Sequence, residues 1–108
     1  ISSFTHGGNN FIYCPFSGIV NIDMNIFATA ATNGYYYARC YRYNDDGSDE
    51  LLDFTGLGGY TSAGCQGSGS MKVHVTAGTY IYINVAASTA IKATAANSHI
   101  RLQYTMID

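Results

Sequence analysis

The feature that most constrains this chain is a period-two alternation of apolar and polar residues. From Ile19 to Ala28, the residues Val20, Ile22, Met24 and Ile26 alternate with Asn21, Asp23 and Asn25. Successive side chains of a strand point to opposite faces, so the even positions turn inward here and the odd ones meet water. Met71, Val73 and Val75 alternate in the same way with Lys72 and His74. So do Ile100, Leu102, Tyr104 and Met106 with His99, Arg101, Gln103 and Thr105. Both segments are predicted to be half-exposed strands.

Two further segments have no ordinary solvent side. In Thr79 to Ala87, Ile81, Ile83 and Val85 form one face, and Tyr80, Tyr82 and Asn84 the other. In Tyr35 to Tyr43, Tyr36, Ala38 and Cys40 form one face, and Tyr35, Tyr37, Arg39, Tyr41 and Tyr43 the other. Turn chemistry separates the strands at Ala31–Gly34, Asn44–Ser48, Thr76–Gly78 and a glycine-rich stretch from Gly56 to Ser70. No segment carries a 3.6-residue apolar period, and Ala86 to Ala96 reads as strand and turn. Short strands with turns between them predict one antiparallel all-β sandwich of about 8–10 strands.

The 108 residues make a single domain. Only 11% are charged, against about 25% in an ordinary soluble domain. The surface must therefore be built from Ser, Thr, Asn, Gly and Tyr, with little repulsion between copies, which favours an oligomer. A net charge of -2 and five scattered Lys and Arg residues offer no footprint for nucleic acid. No apolar run approaches the roughly 20 residues that span a bilayer, so no membrane insertion is expected. The first ten residues lack the pattern of a signal peptide, and the chain is expected to be a piece of something longer. Cys14, Cys40 and Cys65 are an odd number without metal-site spacing, and free buried thiols from a reducing compartment are expected. No Asn-x-Ser/Thr acceptor is present.

The segment Phe11-Ile-Tyr-Cys-Pro-Phe-Ser-Gly-Ile-Val-Asn-Ile-Asp-Met-Asn-Ile resembles the opening of the globular head of complement-type proteins and the tumour-necrosis-factor-like jelly roll. Val20 and Ile22 stand where that family has aromatics. Gly69-Ser-Met-Lys-Val-His-Val-Thr-Ala-Gly-Thr-Tyr-Ile-Tyr-Ile resembles the family's "apolar strand, Gly-Asp, apolar strand" hairpin, with Thr79 in place of Asp. Ser98 to Ile107 falls where the family ends in a central strand, without its usual Phe-Ser-Gly-Phe. The resemblance implies a jelly-roll protomer of a tight homotrimer, often at the C-terminal end of a fibrous stalk. The absent glycosylation acceptors, odd cysteine count and polar uncharged surface point to its phage and bacterial branch. The expected function is then that of a non-enzymatic receptor-binding head at a phage tail tip, holding host cell-surface polysaccharide through three weak sites. A structural trimerisation cap of a fibrous surface or spore protein is the alternative, and a glycan hydrolase a third.

No catalytic motif is spaced for chemistry, and His6, His74 and His99 lie far apart. No cofactor is expected. Asp45, Asp46, Asp49, Glu50 and Asp53 are the acid cluster, read first as turn chemistry, then as a calcium site, with glycosidic cleavage as the remaining use. The tyrosine face of residues 35–43 has two readings: a platform for stacking sugar rings, or the packing surface around a threefold axis. Resemblance favours the second, because these strands match the family's inner sheet. Ligand binding would then fall to end loops, the cleft between protomers, or the face bearing Asn21, Asp23, Asn25, Lys72 and His74. Tyr43, Asp45, Asp46 and Tyr60 are the candidate ligand-binding residues, Tyr60 as the aromatic of the glycine-rich segment.

Overall fold

A computed structural model describes residues 2–6, 9–29, 34–44, 46–60, 64–88 and 92–107, with the side chains of 2–6, 9–10, 29, 60, 65 and 92–97 outside the description. Its strands run in chain order as β1 (Ser2–His6), β2 (Asn9–Cys14), β3 (Gly18–Thr29), β4 (Gly34–Tyr43), β5 (Asp49–Tyr60), β6 (Cys65–Val75), β7 (Thr79–Ala87) and β8 (Lys92–Met106). Among the described residues the structure is all-β. The strands form two sheets, ordered β1-β2-β7-β4-β5 and β6-β3-β8. Every pairing is antiparallel.

One buried cluster lies between the sheets. The smaller sheet contributes Val20, Ile22, Met24, Ile26, Met71, Val73 and Val75, the larger one Cys14, Tyr36, Ala38, Cys40, Leu57 and Ile81. The alternation therefore predicts the inward side of β3 and β6 correctly, and of the two faces it separates on β4 the one with Tyr36, Ala38 and Cys40 is buried. Each fully buried Val or Ile in it contributes about 1.5–3 kcal/mol relative to an exposed one.

The stretch from Gly56 to Ser70 corrects the sequence reading. It is not one long loop, because β5 runs on to Tyr60 and β6 begins at Cys65. Gly67 and Gly69 are there because the sheets crowd together. A Cβ on Gly67 would come within 2.0 Å of the Leu57 carbonyl oxygen and 2.3 Å of the Tyr36 hydroxyl. No other residue type fits without moving the backbone.

The β4–β5 ladder slips at Tyr36/Tyr37 and again at Cys40/Tyr41. Each slip inserts one extra residue on β5, and the extra residues, Leu57 and Leu52, are the ones that pack on the core. The β3–β8 ladder slips between Asn25 and Phe27. There the Tyr36 hydroxyl donates to the Ile26 carbonyl at 2.8 Å, and the Phe27 amide donates to Ser98 Oγ at 2.8 Å. Tyr36 thus ties the larger sheet to the backbone of the smaller one through a buried hydrogen bond.

Candidate functional site

The outer face of the larger sheet gathers most of the chain's ten tyrosines. Registration across the strands places Tyr13, Tyr80, Tyr43 and Asp49 on one rung. Tyr82, Tyr41 and Leu51 make another, Asn84, Arg39 and Phe54 a third, and Ala86, Tyr37 and Gly56 a fourth. Tyr35 follows beside Gly59. All these residues alternate with the buried Tyr36, Ala38, Cys40 and Ile81, which fixes their direction away from the core.

The rings on this face touch one another. Tyr41 stacks on Tyr82 at 5.1 Å between centroids and 18° between planes. Phe11 meets Tyr43 at 4.9 Å and Tyr82 at 5.2 Å, and is 2% exposed although among the described residues no second sheet covers that side. Tyr13 and Tyr80 lie 5.0 Å apart, and Tyr35 and Tyr37 stack at 6.4 Å. The Arg39 guanidinium carbon sits 5.2 Å from the Tyr37 ring centre and 5.5 Å from that of Tyr41. Such cation–π contacts hold a positive charge without neutralising it. Among the described residues no carboxylate pairs with Arg39, and its Nε is buried without a hydrogen-bond partner. Toward β5 the face opens: Tyr35 is 61% exposed and Phe54 64%. An apolar groove of about 550 Å³ runs there, lined by Tyr35, Tyr36, Tyr37, Phe54, Gly56 and Gly58.

The acid cluster separates into individual hydrogen bonds once folded. Asp46 Oδ1 accepts from the Ser48 amide at 2.9 Å and the Ser48 hydroxyl at 2.6 Å, and the side-chain bond chiefly lowers its pKa. Gly47 donates to the Asn44 carbonyl at 2.9 Å, closing the turn. Asp49 accepts from the Tyr82 hydroxyl at 2.7 Å. Burial, reinforced by that carboxylate, pushes the Tyr82 phenol up to about 12. Glu50 pairs with Arg42. Asp53 accepts from the amides of Phe54 at 2.9 Å and Lys72 at 3.1 Å, bridging from β5 to β6. Turn chemistry accounts for Asp46, and among the described residues no three His, Cys, Asp or Glu side chains are grouped to hold a metal ion.

Of the candidate ligand-binding residues, Tyr43 lies on the aromatic face and Asp46 in the adjoining turn. Asp45 lies outside the described residues. Tyr60 is not in a loop: it ends β5 opposite Gly34, whereas Tyr43 pairs with Asp49 at the other end of the same ladder. At about 3.3 Å per residue the two ends are roughly 30 Å apart. Tyr43 and Tyr60 therefore belong to no common site within one protomer. The groove is not legible in the sequence, because its lining joins Tyr35, Tyr36 and Tyr37 of β4 to Phe54 and to glycines on β5 that resemble a loop.

No protein-family model matches the chain, and no curated protein does.

The outer face of the smaller sheet has the opposite chemistry. Its rungs join His74, Ile19 and Thr105, then Lys72, Asn21 and Gln103, then Ser70, Asp23 and Arg101, then Ser68, Asn25 and His99. Asp23 and Arg101 are opposite charges directly across the ladder, a favourable pairing. In the core, Cys14 and Cys40 are free and buried. Burial, with a smaller effect from Cys14, raises the Cys40 thiol to about 12, so it carries no thiolate reactivity near neutrality. The Cys65 side chain lies outside the described residues.

Proposed function

We propose that the chain is a non-enzymatic receptor-binding head of a phage tail fibre, a jelly-roll protomer that assembles as a homotrimer and holds host cell-surface polysaccharide at the virion tail tip. The observation that carries this reading is the aromatic outer face of the five-stranded sheet. Monomers seldom expose a contiguous apolar patch of this kind, and Tyr and Arg are the residue types that concentrate in protein interfaces. In this reading, the half-buried rings of Tyr13, Tyr80, Tyr82, Tyr41 and Tyr43 pack against sister copies around a threefold axis. The exposed β5 rim then lies in the cleft between protomers. The polar face stays in water. The sequence resemblance supplies the threefold symmetry and the attachment to a fibre.

Light scattering at micromolar concentration tests the assembly. The expected mass is three times the 11.6 kDa of one chain; a monomer would remove the basis of the proposal. Binding to host cells or cell-wall polysaccharide tests the ligand, with chromatography of the polysaccharide expected to reveal no shortened products.

A structural trimerisation cap is the second reading. It is favoured by the commitment of Asp46, Asp49, Glu50 and Asp53 to bonds within their own chain. A trimer that fails to bind host cells would select it.

A further inference from the structure

We propose that the groove on the β5 rim of the aromatic face is a subsite for a sugar ring bearing a carboxylate, a uronic-acid residue of an acidic polysaccharide. This rests on the reading of the chain as a saccharide-binding head, and adds the class of sugar and the side chain that selects it.

The groove, about 550 Å³, has the size of a small-ligand site and is open on one side, as a polymer chain requires. Tyr35, 61% exposed and stacked on Tyr37 with 27° between the ring planes, offers an aromatic face to the C–H face of a pyranose ring. Phe54 stands beside them, 64% exposed. Gly56 faces Tyr37 across the ladder, and a Cβ built on it would meet nothing within 4 Å. Glycine inside a strand weakens the strand, and a common reason for it is the close approach of a ligand to the backbone. Unlike Gly67, Gly56 is not forced by crowding from its own chain.

Arg39 supplies the selectivity. It shares a rung with Phe54, and its guanidinium lies over the Tyr37 ring that lines the groove. Its buried Nε has no hydrogen-bond partner, and among the described residues no carboxylate meets it. The other guanidinium of the strand, Arg42, differs in having a carboxylate partner, Glu50, although its Nε is likewise buried without a hydrogen bond. A partly desolvated, unpaired cation is unfavourable until an anion reaches it, and the guanidinium fork matches a carboxylate in two parallel hydrogen bonds. In this assignment the ligand supplies the negative charge that meets Arg39.

The test is calorimetric titration of the domain with trisaccharides of galacturonate, glucuronate and mannuronate, alongside the same trisaccharides with their carboxyls reduced to alcohols. At least one uronate is expected to bind saturably, and its reduced form about tenfold more weakly or worse, as loss of a charged hydrogen-bond partner implies. Arg39→Gln should abolish that preference while leaving residual binding of the ring. Gly56→Val, which fills the groove, should abolish both. If either variant changes the assembled mass or the circular dichroism, Tyr35→Ala, at an exposed position, takes its place and should weaken every trisaccharide alike.

No saturable binding of any uronate, equal binding of reduced and unreduced forms, or an Arg39→Gln variant with unchanged preference would each overturn the subsite. A trimer that binds host cells but no uronate refutes this subsite alone. A monomer that binds uronate as described refutes the trimeric assembly alone.

Discussion

The two outer faces of this protein share one core and differ in almost everything else. Behind β3, β6 and β8 the rungs carry Asn, Asp, Lys, His, Gln, Ser and Arg, with Asp23 across from Arg101. Behind β2, β7, β4 and β5 they carry tyrosines, Phe54, Leu51, Asp49 and an arginine with which no carboxylate pairs among the described residues. The polar face presents mostly hydrophilic side chains to water, with Asn25 Oδ1 buried among them without a hydrogen-bond partner. The aromatic face leaves Phe54 and Tyr35 exposed and, among the described residues, Arg39 without a carboxylate, a condition that contact with another molecule relieves. In a chain with so few charges, where the apolar residues remain outside is therefore more informative than where they are buried.

The largest effect that would break this contrast is on assembly. Tyr41→Glu places a charge among stacked rings and is expected to reduce the particle to monomer by light scattering. Gln103→Glu, the same charge on the polar face, should leave the mass unchanged. If both behave alike, the faces are not functionally distinct.

Next comes the core that both faces share. Gly67→Ala forces a methyl into the Leu57 carbonyl and should destabilise the fold by about 3 kcal/mol in urea denaturation, at the upper end of overpacking effects.

Alkaline pH acts on the aromatic face and the core. The Tyr82 phenol ionises near 10.0 in the unfolded chain and at about 12 when folded. The Cys40 thiol moves from 9.0 to about 12. Because both folded values are raised, the stability is fully present below the unfolded values and is lost as pH rises toward 12. Denaturation midpoints should fall across that window, and Tyr82→Phe should flatten the upper part of the decline.

The smallest test compares neighbours. Tyr36→Phe removes the donor to the Ile26 carbonyl and should destabilise by about 1–2 kcal/mol, whereas Tyr35→Phe on the exposed side should stay within about 0.5 kcal/mol. Equal effects would contradict the assignment of faces.

Much of this was legible in the residues themselves. Period-two alternation identified the inward side of β3 and β6, the two faces of β4, and the ends of β7 at Thr79 and Ala87, because side-chain direction in a strand is a local property. Asn44 to Ser48 announced its turn for the same reason. What was not legible depends on distant partners. Asp49, Glu50 and Asp53 looked like one cluster, but their bonds go to Tyr82, Arg42 and Lys72, which only registration brings near. Glycine caused the other failure. It disfavours strands on propensity alone, so Gly56 and Gly67 suggested a loop, whereas one opens a groove and the other permits the sheets to approach.

The packing of the aromatic rings also has a spectroscopic consequence. The chain has no tryptophan, so its ultraviolet emission comes from tyrosine alone. Most of those tyrosines lie on one face, with Tyr41 and Tyr82 stacked at 5.1 Å. Transition dipoles that close couple, and the near-ultraviolet circular dichroism of this domain is thereby weighted toward a single surface. Any molecule that settles there will change the signal before a label is attached, while one that binds the polar face will leave it almost untouched.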